Sequence, residues 1–239
     1  MSKMTAKQKT IIALCTVLGV VAIVVSTVFA TVAYLTSSAA VSNVFTIGNV
    51  GITMTESKVN PDGTLVDGGG QVDTNTYNLV PNTTYIKDPR INVAPLSEAS
   101  YLFVLVRNDL EKIEDKTDSE NKPTIAQQLA NHGWAKYTKA STGWVYIYVG
   151  DKANVPDGDV ERTADTAYTY TAGKETAVTE GEYYLFKEFS VASKADVSTY
   201  GAAKITLTAV AIQKSGFETL ADAWAAVVET YPYIHTGTN

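Results

Sequence analysis

The sequence has a single cysteine, two histidines and almost no long helical periodicity past its first thirty residues. Cys15 lies inside an apolar run near the N-terminus, so the remainder of the chain has no disulfide framework and must stand on its own hydrophobic core. A lipid-modified cysteine is excluded as well. That attachment needs a small residue just before the cysteine and an apolar stretch ahead of it, whereas Leu14 precedes Cys15 and the apolar stretch lies after it. His132 and His235 form no His-Glu-x-x-His pattern, and a zinc site would need both of them plus carboxylates. Surface positions are the simpler reading for both. There is no Gly-x-Ser-x-Gly elbow, and the Gly68–Gly70 run lacks the Lys-Ser/Thr of a phosphate cradle. No motif points to an enzyme, a cofactor or a metal.

Basic charge is also short. The chain carries 19 Lys and Arg against 25 Asp and Glu, a net charge of −6. Three of those lysines, Lys3, Lys7 and Lys9, stand at the N-terminus. Without them 16 basic residues face 25 acidic ones, a charge of −9, which excludes a nucleic-acid partner and suits a solvated extracellular surface.

What is present begins with a leader. Three lysines, an uncharged run from Ile11 to Phe29 and small residues at Ala30 and Ala33 define a secretory signal over residues 1–33. Cleavage after Ala30 and cleavage after Ala33, ahead of Tyr34, both satisfy the small-x-small rule. The run is also nearly long enough for an uncleaved anchor, which needs about 20 residues. Either way the basic end stays inside and residues 34–239 lie outside the cell, touching the membrane only through an uncleaved leader.

Tyr, Thr and Val are frequent in that part and favour strands. Val44–Thr55 reads as one strand, with Val50, Ile52 and Met54 on one face. Lys58–Asn78 reads as a loop, and Leu79–Val93 as a turn followed by a strand interrupted at Pro89, which places it at an edge or gives it a bulge there. Tyr101–Arg107 is apolar enough for a central strand buried on both faces. Asp109–Lys122 reads as an exposed excursion, and Pro123–Gly133 as a short helix with its proline near the first turn. Trp134–Tyr137 and Trp144–Val149 form a hairpin about Ser141–Gly143; Tyr183–Val191 and Lys204–Ile212 are further strands. Thr219–Tyr231 has helical spacing of Leu220, Ala223, Trp224, Val227 and Val228, a Thr219/Asp222 capping box and Pro232 as a stop. It is placed as a cap on one end of the sheets. The whole predicts a mainly β domain: a jelly-roll-like antiparallel β-sandwich with a short helix and a C-terminal helix, preceded by the signal helix.

Acidic loops (Asp62, Asp67 and Asp73; Asp151, Asp157, Asp159 and Glu161) offer oxygens to Ca²⁺ but lack the spacing of a dedicated calcium loop, so solvated turns are favoured. In the second hairpin strand Val145, Ile147 and Val149 share one face and Trp144, Tyr146 and Tyr148 the other. That aromatic face is either a packed layer, the favoured reading, or an exposed surface for carbohydrate.

Thr31-Val-Ala-Tyr-Leu-Thr36 together with Asn43-Val-Phe-Thr-Ile-Gly-Asn-Val-Gly-Ile52 resembles the processing junction and first strand of TasA/camelysin-like proteins of Gram-positive bacteria. Leu79–Pro89, Ser100–Asn108, Ile205–Gln213 and Gly216–Trp224 look like stretches of clostridial members of the same signal class. Leu35 departs from the usual Phe of the junction, which leaves the cut site less defined. The resemblance implies cleavage by a SipW-type signal peptidase and a secreted protein of the cell surface or biofilm matrix. It further implies fibres in which the N-terminal segment of one subunit completes the sheet of the next, a homopolymer built by β-augmentation. The donor would be Tyr34–Val44, with Leu35, Ser37, Ala39 and Val41 on one parity and Tyr34 on the other. An adhesive or glycan-binding module is the alternative. A camelysin-like metallopeptidase is a distant one.

Overall fold

A computed structural model describes residues 41–117, 122–150, 152–155 and 167–236. The fold is mainly β, with eleven described strands and few helices. A five-stranded sheet is ordered β1-β11-β6-β8-β7, from β1 (Val41–Ile47), β11 (Ile205–Gln213), β6 (Ser100–Asn108), β8 (Gly143–Tyr148) and β7 (Trp134–Ala140). A four-stranded sheet is ordered β3-β2-β5-β9, from β3 (Gln71–Val72), β2 (Ile52–Ser57), β5 (Arg90–Val93) and β9 (Gly181–Tyr184). β4 (Thr84–Ile86) and β10 (Glu188–Ser190) form a separate antiparallel pair.

The centre of the five-stranded sheet is buried on both faces, so that Ser100–Val106 carries no exposed position. Leu102, Val104, Val106, Leu207 and Ala209 face the smaller sheet and share a core with Ile52, Met54, Ile91 and Val93. Tyr101, Phe103, Leu105, Val210 and Ile212 face the opposite way. There they meet Leu220, Ala223 and Val227 of α2 (Leu220–Thr230) and Ile234 of α3 (Tyr233–Thr236). The C-terminal helix therefore covers an outer face rather than capping an end of the sheets. Its N-terminus is as expected, with Thr219 and Asp222 forming a reciprocal capping box. α1 (Ile125–Asn131) is capped in the same way by Thr124 and Gln127, so Pro123 sits just outside it rather than in its first turn.

Val44–Thr55, expected as one strand, passes from one sheet to the other, and the strand pair around Pro89 is interrupted in the middle. Val44–Thr55 divides at Gly48, whose φ of +90° takes the chain out of β1 toward β2 in the other sheet. A side chain there would collide with Gln213, whose Oε1 accepts from the Asn49 N–H at 3.3 Å. The strand around Pro89 is two strands, β4 and β5. Pro89 carries no bulge, and β5 is central in its sheet, not at an edge. Opposite it Tyr183–Val191 is interrupted into β9 and β10; across the gap the Leu185 N–H donates to the Pro89 carbonyl and the Lys87 N–H to the Lys187 carbonyl, both at 3.0 Å, so the two pairs follow one another in the same register. The interruption leaves the alternation of burial intact: Tyr85, Lys87, Pro89, Ile91 and Val93 are all buried across it. The alternation reports burial, not which sheet a strand joins.

A segment read as a loop and one read as an exposed excursion are both tucked in at particular residues. Asn75, Tyr77 and Leu79 anchor the 58–78 loop; the Asn75 side chain takes the Val59 N–H at 3.0 Å and gives to the Ser57 carbonyl at 2.8 Å. In the 109–117 excursion Leu110, Ile113, Glu114 and Asp115 are buried. Most unusual is a pair inside the main core. Lys87 Nζ lies 2.6 Å from Glu56 Oε2, with both side chains almost fully enclosed and Glu56 Oε1 lacking a partner. Burial pulls the Lys87 pKa down, opposed by the Glu56 charge.

Candidate functional site

Ala30, Ala33, Tyr34, Leu35, Ser37 and Ala39 lie outside the described residues, so the cleavage site and most of the expected donor segment are not placed. Val41, its last parity member, opens β1. β1 pairs with β11 in parallel, Val41 opposite Thr206 through Ile47 opposite Ile212. This corrects the all-antiparallel expectation. β1 and β11 are not joined by a short turn; nearly the whole domain connects them, which satisfies the long crossover a parallel pair requires. The other side of β1 pairs with no strand among the described residues.

An aromatic socket holds β1 to the domain. Phe45 packs against Tyr231 at 4.9 Å and Tyr233 at 5.1 Å between ring centroids. The Tyr231 hydroxyl donates to the Thr46 carbonyl at 3.0 Å. Sequence reasoning missed this socket, although Tyr231 and Tyr233 flank the helix-stopping Pro232 in plain view. Val44, on the other face, is 36% exposed.

The aromatic residues of β8 are not a single exposed face. Tyr146 is buried in the main core, which raises its pKa by desolvation. Tyr148 is half-buried, edge-on to Trp134 at 5.2 Å and to Tyr183 of the other sheet at 5.0 Å. These two are the packed layer between the sheets. Trp144, the most open of the three, lines with Tyr146 a cleft of about 300 Å³ between the β7–β8 hairpin, the segment after β6 and the start of α1. The hairpin approaches β6 closely enough that a Cβ on Gly143 would come within 2.2 Å of the Val106 carbonyl oxygen.

Charged groups of both signs line that cleft. The ammonium groups of Lys136 and Lys139 lie 5.0 and 5.4 Å from the Trp144 ring centroid. Glu114 is buried beside it, accepting from the Ile125 N–H at 2.6 Å, and burial pushes its pKa up to about 7. Glu111 pairs with Lys116 at 3.5 Å, an exposed contact worth little. No local pattern around Glu114 marks it as buried, so only the fold brings these residues together.

Of the acidic loops, Asp151, Asp157, Asp159 and Glu161 lie outside the described residues. Asp62 accepts from Thr64 within a turn, while Asp67 and Asp73 are exposed. Among the described residues no three His, Cys, Asp or Glu side chains gather as metal ligands. His132 ends α1, where burial and nearby Lys187 lower its pKa, and His235 is exposed. The chain matches no family model, no curated protein and no solved structure.

Proposed function

We propose that this chain is a secreted structural subunit of the cell surface or biofilm matrix, a jelly-roll-type domain that assembles into fibres. The reading joins the TasA/camelysin-like junction, Thr31–Ile52, to one structural observation. The N-terminal strand is an edge strand, parallel to β11 and joined to the rest through the Gly48 turn. A strand at the chain's start, seated against a sheet edge, is free in topology to be replaced by the same strand of another copy.

In this reading a SipW-type signal peptidase cuts after Ala30 or Ala33 and frees the segment from Tyr34 onward. In the lone subunit β1 fills its own edge beside β11. In the fibre the strand of the next copy takes that place, with its Phe45 in the Tyr231–Tyr233 socket. The contact is head-to-tail and does not close, so it propagates. The uncleaved precursor stays tethered by its leader and does not polymerise.

The test is electron microscopy of purified residues 34–239 beside a form that begins at Gly48. The longer protein is expected to form filaments, and the shorter one to remain folded by circular dichroism yet stay monomeric. Filaments of unchanged abundance from the shorter form would sink the donor role.

A further inference from the structure

We infer that the outer edge of β1 is a pairing surface for the β1 of a second copy, running antiparallel to it about a two-fold axis at Val44. The inference does not rest on strand exchange. It concerns the side of β1 turned away from β11, which is the same whether β1 belongs to its own domain or to a neighbour's.

A sheet edge carries a row of unpaired N–H and C=O groups, and proteins blunt such edges with charge, proline, bulges, brevity or cover. Among the described strands the other edges show these devices. β7, at the far side of the same sheet, carries Lys136 and Lys139 and is bulged between Lys136 and Thr138. It is also partly covered, since the Lys136 N–H gives to the Tyr168 carbonyl at 2.7 Å and the Tyr170 N–H to the Lys136 carbonyl at 2.8 Å. β3 is two residues long. β9 bears Glu182, and its Tyr184 carbonyl accepts from Trp134 Nε1 at 2.8 Å. In the β4–β10 pair the Ile86 N–H gives to the Gly63 carbonyl at 3.1 Å, and the Glu188 carbonyl accepts from Gln128 Nε2 at 2.8 Å.

β1 is built differently. Its seven residues, Val-Ser-Asn-Val-Phe-Thr-Ile, include no charge and no proline, and its register with β11 runs unbroken from Val41 to Ile47. The Tyr231 hydroxyl on the Thr46 carbonyl leaves that oxygen a second lone pair. Val44, at the centre of the strand, is 36% exposed.

The strand itself points to its partner. Pairing about Val44 sets Val41 opposite Ile47, Ser42 opposite Thr46 and Val44 opposite its own copy, so like meets like and the contact is isologous. Asn43 falls opposite Phe45, whose ring is already held by Tyr231 and Tyr233. The chain as a whole has a net charge of −6, which sets copies against one another, whereas β1 is neutral and lets them meet. Seven residues make an edge only about 23 Å long, too short for the ~1,000 Å² of a standing interface. Single pairs are therefore weak, and the contact gains strength where many copies are held in a row, as between two filaments side by side.

Disulfide trapping on residues 34–239 captures such a pair. This stretch has no cysteine, because Cys15 lies in the leader, so one introduced thiol per copy reports its own neighbour. Directly opposed residues have Cα atoms about 4.5–5.5 Å apart, inside the ~4.4–6.8 Å that a disulfide spans. Under mild oxidation Val44→Cys is expected to give roughly 10-fold more linked dimer on a denaturing gel than Glu182→Cys, an exposed position on the β9 edge. In an equimolar mixture, Ser42→Cys and Thr46→Cys are expected to link mainly to each other by mass spectrometry, which fixes the antiparallel register and does not depend on the Val44 variant folding. Val44→Cys dimer no more abundant than that of Glu182→Cys would overturn the inference, as would Ser42→Cys and Thr46→Cys linking to themselves as often as to each other. Electron microscopy of the same samples keeps the two readings apart. Filaments without Val44→Cys dimer leave strand exchange standing and reject edge pairing, and dimer without filaments does the reverse.

Discussion

β11 has two neighbours, and they could hardly differ more. On one side β6 runs antiparallel to it over nine residue pairs, from Ile205 opposite Asn108 to Gln213 opposite Ser100, and is buried on both faces. On the other side β1 runs parallel, stands at the edge and, among its described side chains, is anchored by the partly buried Phe45 and Ile47. Backbone pairing is similar in kind on the two sides; side-chain burial is not. Removal of β6 would open both cores at once, whereas removal of β1 would uncover an edge and a socket. That asymmetry makes one neighbour a fixed part of the domain and the other a candidate for exchange.

The comparison is best broken from the inside outward. The largest loss is expected at the buried pair. Lys87→Met leaves the Glu56 carboxylate enclosed without its cation, which costs about 3–5 kcal/mol. The double variant Lys87→Met/Glu56→Met should recover most of it, because a well-packed apolar pair replaces two desolvated charges. Urea unfolding of the three proteins measures both steps, and a double variant as weak as the single one would contradict this account.

Next come the two neighbours of β11 themselves. Leu102 of β6 is fully buried, so Leu102→Ala should cost about 2–5 kcal/mol in the same assay. Phe45→Ala in β1 forfeits two ring contacts of about 0.5–1.5 kcal/mol each and opens no enclosed cavity. It should therefore cost clearly less stability than Leu102→Ala while reducing filament yield more per kcal/mol lost. Equal stability losses would remove the distinction between core strand and exchangeable strand.

The smallest effect concerns pH. The Glu114 pKa is raised in the folded state from 4.5 to about 7 by burial. Protons are thus bound more tightly in the folded state than in the unfolded one. The associated stability is fully present below pH 4.5 and is lost as pH rises through about 7. Glu114→Gln keeps an acceptor for the Ile125 N–H and removes the titration. Urea midpoints at about pH 5 and about pH 8, on either side of that transition, should separate more for the parent protein than for this variant.

Much of the secondary structure was legible because each local rule had one physical reading. The apolar run from Tyr101 to Val106 has no polar alternation and becomes the strand buried on both faces. Thr219 and Asp222 stand at the spacing a capping box needs, and the helix begins there. The misreadings share a cause. Gly48 takes the chain from one sheet to the other without a gap in the apolar pattern, and Pro89, which has no N–H to give, interrupts its ladder without interrupting burial. Glu56 comes after Ile52 and Met54 at inward spacing, and Lys87 after Tyr85; both signals were present, yet two charges at core positions make sense only when seen to face each other. The β8 aromatics were correctly grouped on one side by alternation. Alternation alone did not reveal that the cover stops between Tyr146 and Trp144.

By itself the sequence determined a mainly β chain, the strands nearest its centre, the cap of its C-terminal helix and the absence of a disulfide framework. Those features follow from interactions within a few residues, or from composition. Only the tertiary structure decided that β1 lies parallel at an edge beside β11, that Phe45 meets Tyr231 and Tyr233, and that Glu114, Lys136, Lys139 and Trp144 surround one cleft. Each joins residues far apart in the chain. Their proximity is set by how sheets and helices stack to bury apolar area, a constraint on the whole domain that no short stretch of sequence encodes.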